Sequence, residues 1–158
     1  MTLMTTSSKG KLLIKDFEGL RLKAYLCAAG VPTIGWGHTK GVRLGQTITE
    51  AQAEDLLVED IAPIERQLNR MGVNFRQGQF DALVSWIFNL GATAFSNSTL
   101  YKRIKEGAAD QQVADEIVKW VYANGRPLLG LMKRRVAEAN LFLGYDRYKV
   151  ANSKIIKV

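Results

Sequence analysis

One glutamate, Glu18, stands where a side chain could act as a general acid. The helical pattern of the preceding residues ends beside it, a glycine-rich stretch follows, and its neighbours Phe17 and Leu20 are apolar. Apolar surroundings favour the protonated carboxyl, which is the form that donates a proton to a leaving group. Hydrolysis of a glycosidic bond needs such an acid, with a second group that holds water or a nucleophile on the opposite face of the sugar. A solvated surface glutamate is the alternative interpretation.

Two other reactive side chains occur once each. Cys27 is the only cysteine, so an intramolecular disulfide is excluded and its role is packing or chemistry. His38 is the only histidine, and no ligand-spaced cluster accompanies it. We therefore expect neither a metal nor a cofactor. We predict a structural His38 whose ring forms a hydrogen bond with Asp60 on a later helix.

The composition is typical of one globular domain, which we place at residues 1–158. Of the 158 residues, 47% are apolar and only 3 are prolines. The net charge of +7 favours anionic partners. The basic residues are spread along the chain and do not form a stripe with aromatic residues, so we expect general electrostatic attraction of such partners and no nucleic-acid binding. No apolar run is long enough to span a bilayer, and Met1–Ser8 lack the pattern of a signal peptide. We expect a monomer, made in the cytoplasm without stable membrane insertion.

Local signals divide the chain into a small β region and a set of helices. A helix capped by Ser7 or Ser8 should end at Gly19, and two short strands near 22–25 and 33–36 should follow among glycines. A capping box then begins a long helix at about 49–70.

Four further helices are predicted after that long helix. The first is a buried central helix after Asn74 that ends at Gly91. The others run from the caps at 96–98 to Gly107, over 110–120, and over 129–143 before Gly144. Because β and helical signals are segregated, the predicted class is α+β, mainly helical. A β lobe at about 9–48 and a helical lobe at 49–144 should enclose a cleft, and the tail at 145–158 has no assigned role.

The spacing around Glu18 resembles that of a known family. The chain reads E-G-L-R-L-K-A-Y from Glu18, has Cys27 after eight intervening residues and Thr33 after five more, and reads T-I-G-W-G-H-T from Thr33. This stretch resembles the phage-type lysozymes, the endolysins and muramidases of glycoside hydrolase family 24. The resemblance covers about residues 9–144. It extends to I-T-E-A-Q-A at 48–53, F-N-L-G at 88–91 and the G-L…R-R…E pattern that ends at Glu138.

The resemblance implies a two-lobed lysozyme-like fold and hydrolysis of the β-1,4 bond between N-acetylmuramic acid and N-acetylglucosamine in peptidoglycan. Glu18 would be the acid, and Cys27 and Thr33 would position the water. Most members have an aspartate where this chain has Cys27, which could act as a thiolate, as a polar anchor for water or as a small buried side chain. The family's setting implies release through a holin from the host cytoplasm to the periplasm and cell wall, followed by host lysis.

Other side chains are predicted to support the site. Candidate substrate contacts are Gly35, Trp36, Asn89 and Arg126, although glycine turns and a core tryptophan are the alternatives for the first two. Arg134 or Arg135 could pair with Glu18 from the last helix.

Three rival functions remain open on these residues. A lytic transglycosylase would also use one glutamate but would form a 1,6-anhydro sugar. A wall-binding protein could have lost catalysis through the change at Cys27. A basic nucleic-acid binder would leave the T-I-G-W-G-H-T stretch unexplained.

Overall fold

A computed structural model describes residues 3–158, which form seven helices and six short strands. Met1 and Thr2 lie outside the described residues. Both belong to the predicted domain and to the segment in which no signal peptide was predicted. No helix within residues 3–158 is both long and apolar enough to cross a membrane.

The first helix leads directly into the β region. Helix α1 spans Ser8–Glu18, with the Ser7 side chain accepting a hydrogen bond from the Gly10 amide at its start. It ends at Gly19, whose φ of +72° is a conformation that glycine adopts without strain. Strands β1 (Arg21–Leu26) and β2 (Pro32–Gly35) follow at once and pair antiparallel. The chain therefore turns directly from the end of α1 into a hairpin.

Helix α2, Glu50–Asn69, links the β region to the helical lobe. Its start is the predicted capping box, in which Thr49 and Gln52 each bond the other's backbone amide. Its buried face packs against α3 and β2, through apolar side chains that include Ala53, Leu57 and Ile61. The predicted long helix is therefore confirmed to within a residue at each end.

The helical lobe is built around α3, Gln77–Leu90, which contacts α1, α2 and α7. Every residue from Gln79 to Ile87 is buried, as expected of a helix surrounded by others. The remaining helices are α4 (Ala92–Ser96), α5 (Thr99–Lys105), α6 (Asp110–Ile117) and α7 (Leu129–Leu143). Segregation of a small β region from a helical lobe is confirmed, and so is the end of α7 at Gly144.

Three local predictions were incomplete. The helix expected over 110–120 ends at Ile117, because the chain turns there into strands β3 (Tyr122–Ala123) and β4 (Arg126–Pro127). Asn124 and Gly125 join these strands with φ of +52° and +75°, the backbone that a tight hairpin requires. Helix α4 was not predicted. The unassigned tail forms a third hairpin, β5 (Tyr148–Ala151) with β6 (Lys154–Lys157).

Candidate active site

Glu18 lies where the last helix meets the first. Its side chain is 22% exposed at the end of α1, and one carboxylate oxygen accepts a hydrogen bond from Arg134 Nη1 at 2.6 Å. Arg134 belongs to α7, 116 residues later, and its side chain is only 4% exposed. A nearly buried arginine thus fixes a carboxyl that still reaches solvent.

The Arg134 guanidinium has partners on every side. Its Nη2 donates to the backbone oxygen of Ser85 on α3 at 3.2 Å, and its Nε lies 3.3 Å from Glu138 Oε2 on its own helix. The group also lies 5.7 Å from the centre of the Phe17 ring. Three helices therefore determine where this arginine presents its charge to Glu18.

Glu138 is the centre of a buried charge cluster. Its side chain is fully buried and accepts a hydrogen bond from Ser85 Oγ at 2.6 Å. Arg135, also fully buried, places Nε 2.7 Å from Glu138 Oε1 and donates from Nη2 to Oε2 at 3.1 Å. Burial raises the pKa of the Glu138 carboxyl, while the charges of Arg135 and Arg134 act in the opposite direction. Burial likewise lowers the pKa of Arg135, which Glu138 opposes.

A cavity of about 500 Å³ opens beside the Glu18 carboxyl. It lies between the end of α1, the end of α3 and the start of α7, and is lined by Phe17, Glu18, Asn89, Leu128, Leu129, Gly130, Leu131 and Arg134. Asn89 contributes a buried side-chain oxygen that has no hydrogen-bond partner within residues 3–158. Such an acceptor is costly to bury unless a ligand or water supplies a donor.

A second cavity, of about 280 Å³, lies between the end of the β region, α2 and the end of α3, and Glu18 does not line it. Gly37 and Phe88 are among its lining residues. A Cβ atom on Gly37 would lie 3.3 Å from Glu18 Oε1, so this glycine lets the backbone pass close to the acid. Its φ of +83° also favours glycine. Glu18 therefore has Gly37 of the β region on one side and Arg134 of α7 on the other.

Cys27 and Thr33 lie on the hairpin that follows Glu18. The Cys27 amide donates to the Val31 carbonyl at 3.0 Å, and the Thr33 hydroxyl donates to the same oxygen at 2.8 Å. The backbone at Val31 and then at Ala29 lowers the pKa of the Cys27 thiol, and the Thr33 side chain adds to this effect. Among the described residues, no hydrogen bond or ion pair joins either side chain to Glu18.

His38 forms the hydrogen bond that was expected with Asp60. Its Nδ1 lies 2.9 and 3.0 Å from the two carboxylate oxygens, and its Nε2 lies 2.9 Å from the Lys40 carbonyl oxygen. His38 is nearly buried, and Asp60 belongs to α2. The pair therefore ties the turn after β2 to the long helix.

The chain matches known proteins over most of its length. The family model described as phage lysozyme matches residues 15–138. This chain belongs to the phage lysozyme family. Among its curated relatives, an endolysin of Acyrthosiphon pisum secondary endosymbiont phage 1 is 49% identical over 88% of this chain and 98% of its own length. An endolysin of Salmonella phage P22 is 40% identical over 89% and 99%.

Solved structures agree with this assignment. An endolysin from Escherichia coli O157:H7 phage FAHEc1 superposes with a TM-score of 0.80 at 38% identity, covering 90% of this chain and 95% of the other. The muramidase domain of SpmX from Asticaccaulis excentricus gives 0.81 at 39% identity, covering 88% and 97%. The predicted resemblance, the two-lobed lysozyme fold and the enzyme class, a muramidase-type hydrolase, are therefore confirmed.

Within this phage lysozyme, the predicted site residues fall into separate groups. Glu18, Asn89 and Arg134 share one cavity, and Arg135 joins them through Glu138 instead of touching Glu18. Arg126 is exposed on β4 and does not line that cavity. Of the two arginines considered as partners of Glu18, the structure selects Arg134.

Gly35 and Trp36 pack into the interior of this lysozyme and line neither of the two cavities described above. Gly35 is buried, and a Cβ there would meet Ala53 on α2 at 3.6 Å. Trp36 is also buried, with the Lys15 ammonium 4.5 Å from its ring centre. Gly37 is the glycine beside Glu18 instead. We therefore leave both residues out of the proposed sugar-binding surface.

Sequence reasoning missed the roles of Ser85 and Glu138 in this lysozyme. Glu138 was noted only as part of the family pattern, and Ser85 only as part of the central helix. A usable signal was present, because Arg135 and Glu138 are three residues apart on a face of α7 that also carries the buried Ala139 and Phe142. Within residues 3–158, no group of three or more histidine, cysteine or acidic side chains is arranged to hold a metal ion.

Proposed function

We propose that this chain is an endolysin that hydrolyses the β-1,4 bond between N-acetylmuramic acid and N-acetylglucosamine, with Glu18 as the general acid. The observation that carries this proposal is the position of Glu18: a partly exposed carboxyl that lines a cavity at the ends of α1 and α3 and the start of α7, held by the nearly buried Arg134. In the reaction Glu18 protonates the bridging oxygen, and the bond from that oxygen to the anomeric carbon breaks, so that the oxygen leaves as a hydroxyl. A water molecule bonds to that carbon and gives up one proton to solvent, from which the Glu18 carboxyl is protonated again.

Cys27 and Thr33 would position the attacking water. The hairpin holds them six residues apart with their backbones fixed by its own hydrogen bonds, and only two residues separate it from Glu18, which ends α1. Since the Thr33 hydroxyl donates its proton to Val31, its oxygen keeps lone pairs that accept from a water. The lowered pKa of Cys27 makes its sulfur a better acceptor for the other water hydrogen. We favour this orienting role over attack by a thiolate.

Asn89 and Arg126 would bind substrate outside the reacting centre. The unpaired oxygen of Asn89 in the Glu18 cavity suits the N–H of an N-acetyl group. Arg126 lies on β4, two residues before Leu128 at the cavity wall, and its exposed guanidinium suits the peptide carboxylates of the wall. The whole chain, residues 1–158, would act as one catalytic domain.

The decisive experiment compares Glu18→Gln with Asp16→Asn in a turbidity assay on outer-membrane-permeabilised cells. Both variants replace a carboxyl of α1 by its amide, but Asp16 lines a separate groove between α1 and α7. We expect Glu18→Gln to lower the lysis rate by roughly 10²- to 10⁴-fold. Asp16→Asn should stay within about twofold of the parent. Equal lysis by parent and Glu18→Gln would end the proposal.

Mass spectrometry of the digested wall separates the remaining alternatives. A hydrolase leaves a free reducing end on N-acetylmuramic acid, whereas a lytic transglycosylase leaves a 1,6-anhydro ring. An active parent with reducing ends supports the proposal, and anhydro products would reassign Glu18 to the transglycosylase reaction. A parent that binds walls without clearing the suspension would instead be an inactive wall binder.

We also propose the setting of this activity: a monomer that accumulates in the host cytoplasm, reaches the periplasm through a holin, and lyses the host. An expressing culture should then stay intact until its inner membrane is permeabilised, and clear afterwards. Lysis that begins without permeabilisation would contradict the holin requirement, and gel filtration checks the monomer.

A further inference from the structure

The Glu18 carboxyl is not the only acid that Arg134 serves. Its guanidinium lies between Glu18, 2.6 Å from Nη1, and Glu138, 3.3 Å from Nε. The two carboxyls differ in what else they contact. Glu18 is open to the cavity, whereas Glu138 is fully buried and bonded to Ser85 and Arg135. Arg134 therefore joins a carboxyl exposed to substrate to one that is sealed in the protein.

Resting on the proposed role of Glu18, we infer that Glu138 is a positioning residue for catalysis, which acts on the acid through Arg134. It does so by geometry, because a carboxylate one helical turn after Arg134 limits the directions in which the guanidinium points. It also does so by charge. The positive charges of Arg134 and Arg135 both lie near Glu18. The negative charge of Glu138 offsets one of them, so that Glu18 does not face two positive charges alone.

The elements packed around Arg134 and Arg135 each contribute a polar or charged group, and together these groups form the junction between Glu18 and Glu138. Helix α1 supplies Glu18, α3 supplies the hydroxyl and carbonyl of Ser85, and α7 supplies both arginines with Glu138. The Trp120 carbonyl, from the chain before β3, accepts from Arg135 Nη1 at 3.4 Å. The three acids of α6 are engaged elsewhere: Asp110 pairs with Arg76, Asp115 bonds to Tyr148 and Lys157, and Glu116 pairs with Lys119. Glu138 is thus the one acid besides Glu18 that the described residues place against Arg134.

A purely structural role makes a different prediction from a positioning role. A buried carboxyl that only stabilises the fold would change the unfolding free energy when neutralised and leave the chemistry of folded molecules unchanged. Neutralising a carboxyl that positions Arg134 and offsets its charge would also change kcat and the pH dependence of activity. Without its charge, the positive charges of Arg134 and Arg135 face Glu18 with one fewer acid to offset them.

The test measures kcat, KM and the activity–pH profile of Glu138→Gln on soluble peptidoglycan fragments. We expect kcat to fall roughly tenfold with KM within about twofold, which is the signature of an interaction made in the transition state. We expect the alkaline limb of the profile to move to lower pH. Glu138→Asp keeps the charge, so it should keep the alkaline limb of the parent and recover part of kcat.

The chain offers a matched control in Asp81. This buried carboxyl of α3 accepts from both the amide and the hydroxyl of Ser7 and from Gln77, and none of its partners touches Arg134. Asp81→Asn should lower thermal stability but leave kcat and the pH profile of the folded enzyme unchanged. If Glu138→Gln behaves like Asp81→Asn, the inference is wrong.

A milder pair of variants decides the question if Glu138→Gln does not fold. Ser85→Ala removes the hydroxyl donor to Glu138, and Ser7→Ala removes the equivalent donor to Asp81. We expect only Ser85→Ala to lower kcat, by about two- to threefold, and equal kcat in both would overturn the inference. The Glu18→Gln result keeps the two proposals apart: activity in that variant ends the proposed function. An inactive Glu18→Gln beside a Glu138→Gln with parental kinetics ends only this inference.

Discussion

The two sides of the proposed site hold their candidate catalytic side chains in different ways. On the helical side, Glu18 depends on charged side chains from α7 and a serine from α3, which lie far away in the sequence. On the β side, Cys27 and Thr33 are placed by backbone hydrogen bonds within a single hairpin. One side is therefore an assembly of distant parts and the other is a local structure. Substitutions should accordingly disturb folding on the first side and mainly chemistry on the second.

The largest expected effect breaks the helical side. Arg134→Met removes the shared partner of Glu18 and Glu138 from a nearly buried position, so we expect a loss of about 3 kcal/mol in unfolding free energy, together with most activity. Urea unfolding followed by circular dichroism measures it. Arg103→Met is the matched control, since its pair with Glu106 is exposed and should cost less than about 1 kcal/mol. Equal losses of unfolding free energy in both variants would show that the buried charge cluster contributes no more to stability than an exposed ion pair does.

The next prediction probes the β side. Cys27→Ala removes the sulfur but not the backbone bonds of the hairpin, so stability should stay close to that of the parent. Lysis should slow by roughly tenfold if the sulfur orients water. Cys27→Asp restores an acceptor in the same place and should restore or exceed parental activity. A parental rate for Cys27→Ala would instead assign Cys27 to packing.

A titration of the thiol sharpens the same point. The backbone at Val31 and Ala29 lowers the pKa of Cys27 below 9.0, so the folded protein should form thiolate at lower pH than the unfolded chain. The rate of alkylation by iodoacetamide, followed against pH, should therefore rise at lower pH in native protein than in urea. Coincident curves would contradict the hairpin's effect on the sulfur.

The smallest effect concerns a polar cluster outside both sides. Tyr148 donates to Asp115 at 2.5 Å and secures the tail hairpin, so Tyr148→Phe should cost about 1 kcal/mol and leave the lysis rate unchanged. Burial alone would raise the pKa of Asp115, but hydrogen bonds from Tyr148, Lys157 and Gln111 outweigh it and lower that pKa. Burial, with Asp115, raises the pKa of Tyr148.

The directions of the pKa shifts of Asp115 and Tyr148 determine the pH range over which Tyr148→Phe is less stable than the parent. A lowered carboxyl pKa stabilises the fold above its ordinary value of 3.8, and the benefit is lost as pH falls through the folded value. A raised tyrosine pKa gives a benefit that is present below 10.0 and lost as pH rises through the folded value. The stability gap between parent and Tyr148→Phe should therefore be constant between these limits and shrink outside them. Thermal unfolding at several pH values checks this.

The same contrast explains what the sequence could predict. Helix ends marked by local chemistry, such as Ser7, Thr49 with Gln52, and Gly144, were placed within a residue or two. The tail hairpin was missed because its turn uses Asn152 and Ser153 at positive φ, where glycine would have been the recognisable signal. The Asn124-Gly125 turn was recognisable, but the helical pattern was extended over the residues just before it.

Site prediction followed the same division. The motif that spans Glu18, Cys27 and Thr33 is contiguous, so a resemblance could point to it. The partners of Glu18 depend on how α3 and α7 pack. Spacings of three and four residues among Arg134, Arg135 and Glu138 occur equally on solvated helices, where such pairs contribute little. The apolar Ala139 and Phe142 on the same face of α7 are the sequence signal that this cluster is buried, and the tertiary fold shows which groups it joins.

The separation of 116 residues between Glu18 and Arg134 has a consequence for the timing of activity. At a synthesis rate of about 5–20 residues per second, the carboxyl leaves the ribosome on the order of ten seconds before the guanidinium that will hold it. A growing chain thus carries its acid without the counter-charge that orients it. The protein would then become active only late in synthesis and folding, when α7 packs against α1.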